Sequence, residues 1–186
     1  MSNLVIFLGP PGAGKGTQAV SIAKEKNLAH ISTGDMLREH VSNETELGKT
    51  AKTLLEEGKL VPDSLVIEML QERLLFKDCV NGAILDGFPR TIAQAESLDS
   101  VSAEFKISKV IVFEVDRDEL IKRILNRGET SGRSDDTEES VSVRLEVYEN
   151  DTSPLIEYYE LKNLVAKINA VGEVENIHKL ILKEFE

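Results

Sequence analysis

Apolar residues along this chain gather in short runs separated by polar stretches with helical periodicity. Residues 4–8, 83–85 and 110–115 read as buried strands of a parallel sheet, because strands covered on both faces carry continuous apolar residues rather than alternating ones. Two weaker runs, 29–32 and 164–169, complete a set of five. Helical patterns lie between and after them, over 16–25, 63–76, 92–97, 118–126, 138–149 and 174–184. Strands alternating with helices predict an α/β fold in three layers, with helices on both faces of a five-stranded parallel sheet.

Two intervals are too long for simple crossovers. The first follows the second strand, with helical pieces broken at Gly48 and at Gly58-Lys59-Leu60-Val61-Pro62. The second, 127–137, is polar and rich in Gly, Ser and Asp. Excursions of this kind are commonly functional lobes or lids. The expectation is one domain over 1–186, with insertions at 32–61 and 127–137.

A length of 186 residues fits one domain, and 22 Lys and Arg against 33 Asp and Glu leave a net charge of −11. Such a surface repels phosphate backbones, which argues against nucleic acid as a partner. Against that background, Arg117, Arg123, Arg127, Arg133 and Arg144 fall in one stretch, which suggests a local anion site. Cys79 stands alone, so neither an internal disulfide nor a cysteine zinc site is expected. The first apolar run is too short for a signal segment, and no stretch is long and apolar enough to span a membrane. A cytoplasmic setting is the expectation.

Directly after the first strand comes Gly9-Pro10-Pro11-Gly12-Ala13-Gly14-Lys15-Gly16-Thr17, followed by a helix. That is P-loop spacing in P-loop context. The glycines let backbone amides turn toward an anion, and the helix adds its unsatisfied N–H groups and positive dipole end. Lys15 adds a full charge at the β/γ-phosphate position. Gly16 stands where Ser or Thr normally follows the lysine, and Thr17 comes one residue later. A nucleoside triphosphate site is expected.

Other motifs have plainer readings of their own. In Ser32-Thr33-Gly34-Asp35-Met36-Leu37-Arg38, a hydroxyl can cap the helix, but Arg38 lies one turn in, within reach of a phosphate at its start. Asp86 ends a strand and suits a magnesium ion held through water, or simply a turn. Gly87-Phe88-Pro89 then forms a tight turn that fixes Arg90. Arg123 and Arg127 share a helix face, where pairing with Asp118 or Glu119 is the simple alternative. His30, His40 and His178 are isolated and read as packing residues.

Taken together, the P-loop, Ser32–Arg38, Asp86-Gly-Phe-Pro-Arg90 with Gln94, and Arg127-Gly-Glu-Thr-Ser-Gly-Arg133 with Arg144 resemble adenylate kinases of the short-lid kind, in order and over nearly the whole chain. The resemblance implies a P-loop kinase core, a monophosphate-binding insertion at 32–61 and a lid at 127–137. It implies reversible, Mg²⁺-dependent phosphoryl transfer from ATP to AMP giving two ADP, by a monomer. ATP would lie on Gly12, Ala13, Gly14, Lys15, Gly16, Thr17, Arg127 and Gly172. AMP would lie on Thr33, Arg38, Lys59, Leu60, Val61, Gly87, Phe88, Pro89, Arg90, Gln94, Arg133 and Arg144, with Thr33 and Gln94 at its base. Lys15, Arg90, Arg123, Arg127, Arg133 and Arg144 would serve the transfer, with Asp86 on the metal. A lid without Cys or His cannot hold zinc.

Two other functions compete. UMP/CMP kinases share the fold and the Arg133-Ser-Asp-Asp136 lid character, but Thr33, Asp35 and Gln94 follow the adenylate pattern. A nucleotide switch would need a base-reading Asn-Lys-x-Asp tetrapeptide, which is absent, and two arginine sets suit two nucleotides better than one.

Overall fold

Five strands, all parallel, form one sheet in the order β2-β3-β1-β4-β5: β1 (Ser2–Leu8), β2 (Ala29–Ser32), β3 (Gly82–Asp86), β4 (Phe105–Glu114) and β5 (Val165–Asn169). This computed structural model describes residues 2–101, 105–131 and 136–185. Because successive side chains of a strand point to opposite faces, β1 feeds two cores. Leu4, Ile6 and Leu8 pack with Ala83, Leu85, Val110 and Val112 on one side. Val5 and Phe7 pack with Ile84, Ile111 and Phe113 on the other.

Helices cover both faces. α1 (Lys15–Lys26), α6 (Arg117–Ser131), α7 (Glu138–Val147) and α9 (Val174–Lys183) lie on the Phe7 side, and all four contribute buried residues there. α2 (Thr33–Ser42), α3 (Glu46–Glu56), α4 (Asp63–Leu74), α5 (Ile92–Val101) and α8 (Pro154–Glu160) lie on the Leu4 side. The α/β class, the five parallel strands and the layered helices agree with the sequence pattern. No helix among the described residues is long and apolar enough to cross a membrane.

The differences have local causes. β4 begins at Phe105 rather than near 110, because a register shift opposite Leu4 and Val5 leaves Ser108 as an extra residue. The Ser108 hydroxyl donates to the Leu4 carbonyl at 3.2 Å. Gly48 does not break a helix. The break lies just before it, where Thr45 caps α3 by accepting from the Gly48 N–H at 3.0 Å. Gly48 sits in the first turn of α3 because α2 passes too close for a side chain: a Cβ there would lie 2.0 Å from the His40 carbonyl oxygen. α6 outruns its apolar pattern and takes in Arg127 and Gly128, with the Thr130 hydroxyl donating to the Asn126 carbonyl. Gly128 is helical as well, and a Cβ there would meet the Asp136 carbonyl oxygen at 2.7 Å.

Candidate active site

The carboxyl ends of the strands surround a cleft, and the loop between β1 and α1 forms its floor. Gly12 and Gly14 both adopt the left-handed conformation, with φ of 83° and 90°, which favours glycine. Gly12 has a second constraint, since a Cβ would meet Ile124 at 2.8 Å. A side chain at 16 would place its Cβ 3.2 Å from Asp86 Oδ2, a tight contact that Gly16 avoids. Lys15 turns back on its own loop and donates from Nζ to the carbonyls of Gly9 at 2.8 Å and Pro10 at 2.9 Å. Burial, with the guanidiniums of Arg90, Arg144 and Arg127 nearby, lowers its pKa to about 8 despite the opposing pull of Asp86.

A cavity of about 380 Å³ opens on one side of this loop. Asp86 ends β3 beside Lys15 and Gly16, and His30, within β2, brings Nε2 to 3.7 Å from its carboxylate. Burial pushes the Asp86 carboxyl up, but the His30 imidazole and the charge of Lys15 outweigh it and hold it below the ordinary range. A buried, ionised carboxylate on a cavity that Thr17 also lines fits Mg²⁺, which keeps most of its waters. Arg38, Leu60, Gly87, Pro89, Arg90 and Arg144 also reach this cavity. Arg90 is clamped along its length. Its Nε donates to the Gly87 carbonyl at 2.8 Å, and its own carbonyl accepts from the Thr152 hydroxyl at 2.8 Å. Thr152 comes from a π-helical turn, Tyr148–Thr152, that also brings Tyr148 to the wall. Burial, with Glu114 nearby, pushes the Tyr148 hydroxyl up to about 12.

On the far side of the loop lies a second cavity of about 440 Å³, lined by Gly12, Ala13, Gly14, Thr17, Arg123 and Gly172 among others. Arg127 borders both cavities. Its guanidinium is bidentate with Asp136, at 2.6 Å for each bond, and Arg144 joins the same carboxylate at 2.7 Å. The Asp136 side chain is fully buried. Burial alone would raise its pKa, but these two arginines hold it below the usual range. Arg123 pairs with Glu119 at 2.7 Å, the alternative that spacing allows, and donates to the Ala170 carbonyl.

Other expected residues are buried or bonded within the protein. Val61 and Phe88 are buried in the core, and Lys59 pairs with Glu57 at 2.7 Å. Thr33 is buried and spends its hydroxyl hydrogen on the Gly87 carbonyl, joining the ends of β2 and β3. Gln94 is also buried, its amide bonded to Asp63 and to the Arg90 N–H. Arg133 lies outside the described residues. Sequence reasoning left out Asp63, Asp136, Thr152 and Tyr148, and read His30 as packing. The partners of Asp63, Thr152 and His30 are far along the chain, whereas Asp136 lies within nine residues of both its arginines, and its place between them was the available signal.

Comparison with known proteins points one way. A family model described as adenylate kinase matches residues 7–164. The chain is 46% identical over 181 residues to an adenylate kinase of Leptospira biflexa, covering 96% of this chain and 97% of the relative. An adenylate kinase of Thermus thermophilus is 46% identical over 179 residues, covering 95% and 94%. One from Methanothrix thermoacetophila is 44% identical over 207 aligned positions, covering 96% of each.

Proposed function

The chain belongs to the adenylate kinase family and is a phosphotransferase, and we propose that MgATP and AMP meet across its phosphate loop and exchange one phosphoryl group to give two ADP. The observation that carries this reading is the pair of cavities on either side of one loop, with Arg127 bordering both. ATP would take the loop amides and the cavity beside Gly172. AMP would take the cavity of Arg38 and Arg90, with residues 32–61 as its lobe and 127–137 as a short lid.

Phosphoryl transfer asks mainly for positioning and charge neutralisation. The acceptor is itself a phosphate, with a second pKa near ~6, so it is mostly dianionic at neutral pH and needs no general base. Lys15, Arg38, Arg90, Arg123, Arg127 and Arg144, together with Arg133, would hold two anions that otherwise repel. Mg²⁺, held through water by Asp86 near Thr17, would neutralise charge on the ATP phosphates. Lid closure over both nucleotides would exclude water, the competing acceptor. In this proposal the protein acts as a cytoplasmic monomer, and its net charge of −11 supports small nucleotides rather than nucleic acid as partners.

The test is a steady-state assay with MgATP and, in parallel, AMP, UMP, CMP and GMP, following ADP. AMP-dependent turnover with much poorer pyrimidines is the expected result. Preference for UMP or CMP would keep the kinase but overturn the base assignment. No turnover with any acceptor would overturn the transfer itself.

A further inference from the structure

Gln94 has an amide whose orientation is fixed from both ends. Its Oε1 accepts from the Arg90 backbone N–H at 2.7 Å, and its Nε2 donates to Asp63 Oδ1 at 2.7 Å. A backbone N–H can only donate, and here both Asp63 oxygens accept, so the amide has one permitted orientation. Asp63 is itself held in place. Its Oδ2 accepts from the Thr91 hydroxyl at 3.0 Å, and that hydroxyl oxygen accepts from the Gln94 N–H at 3.2 Å. Turning the amide over would set its N–H₂ against the Arg90 N–H and its oxygen against a carboxylate, leaving two buried repulsions in place of two bonds.

Each end of the amide keeps one valence: a second N–H on Nε2 and a second lone pair on Oε1. A 6-amino purine offers a donor at its 6-position and an acceptor at N1, which match that pair in one orientation. A 6-oxo purine offers an acceptor at the 6-position and a donor at N1, which match only the inverted amide. We propose that Asp63 is a positioning residue that locks the Gln94 amide and so makes the acceptor site select 6-amino over 6-oxo purine monophosphates. The inference rests on the proposed AMP site and on the base-contacting role that the family resemblance implies for Gln94. A role for Asp63 confined to the N-terminal charge of α4 would affect stability and leave base preference untouched.

The test compares kcat/KM for AMP and IMP at saturating MgATP in the wild type, Asp63→Asn and Asp63→Glu. Asparagine is nearly isosteric but can offer N–H₂ to an inverted Gln94, whereas glutamate still only accepts. Asp63→Asn should lower the AMP-to-IMP ratio roughly tenfold, the worth of about one hydrogen bond, with KM for MgATP unchanged. Asp63→Glu should keep most of the ratio. An unchanged ratio in Asp63→Asn, or an equal loss for both monophosphates, overturns the inference while leaving the base role of Gln94 standing. A wild type that uses IMP as well as AMP overturns that role and the inference with it. If Asp63→Asn does not fold, Asp63→Ser is read by the same ratio.

Discussion

Lys15 carries a charge that burial and three neighbouring guanidiniums oppose. Its pKa of about 8 in the folded protein lies below the 10.5 of an unfolded lysine. Between those values the unfolded chain holds the extra proton, so stability rises with pH across that window. Urea unfolding at about pH 7.5 and 9.5 should show a gain of roughly 1–3 kcal/mol in the wild type that Lys15→Met lacks. The same variant should fold and lose about 10²–10³ in kcat. A fully active Lys15→Met would remove Lys15 from the phosphate site, and a pH gain that survives the substitution would assign the titration to another group. Lys15, Asp86 and Arg90 were legible in the sequence because each sits at a fixed offset from a strand end and a glycine. Asp63 and Asp136 were not. An aspartate in the first turn of a helix reads as an end charge, and only folding brings Asp63 to Thr91 and Gln94, or Asp136 to both Arg127 and Arg144. Gln94 illustrates the opposite limit: its motif was legible, but its two internal bonds were not.

At the scale of elements, the strands were the readable part, since continuous apolar runs are what a doubly covered sheet requires. All five lie where the pattern puts them. The start of β4 differs, because a bulge carries no apolar signature of its own. Helix ends were less legible wherever tertiary contacts set them. α6 continues past its last apolar residue, and Gly48 reads as a breaker although close helix crossing is what demands it. That distinction has a measurable consequence. Gly48→Ala would raise helix propensity in an isolated α3, but in the folded protein α2 and α3 must move apart. The expected cost is about 1–3 kcal/mol, read as a lowered urea midpoint. A stabilised Gly48→Ala would mean that the two helices have room to spare. Because α2 carries Arg38, KM for AMP should rise in the same variant, with KM for MgATP little changed.

At the scale of the whole molecule, the two cores are separated by one sheet and share its central strand. Ile6 packs on one face and Phe7 on the other, whereas Phe7 and Phe113, on different strands, stand ring to ring at 5.2 Å. Double-mutant cycles should reflect space rather than sequence. Ile6→Val with Phe7→Leu should add to within about 0.5 kcal/mol, while Phe7→Leu with Phe113→Leu should depart from additivity by roughly 0.5–3 kcal/mol. Strong coupling between positions 6 and 7 would mean that the sheet transmits packing strain from face to face. The phosphate loop hangs from the end of this strand, so damage to either core should reach the cleft floor. In hereditary terms β1 is doubly audited: a change there must satisfy two unrelated sets of neighbours. Drift along the chain should therefore run slower through β1, and through β3 and β4, which face both cores as it does, than on the outer helix faces, which answer to solvent alone.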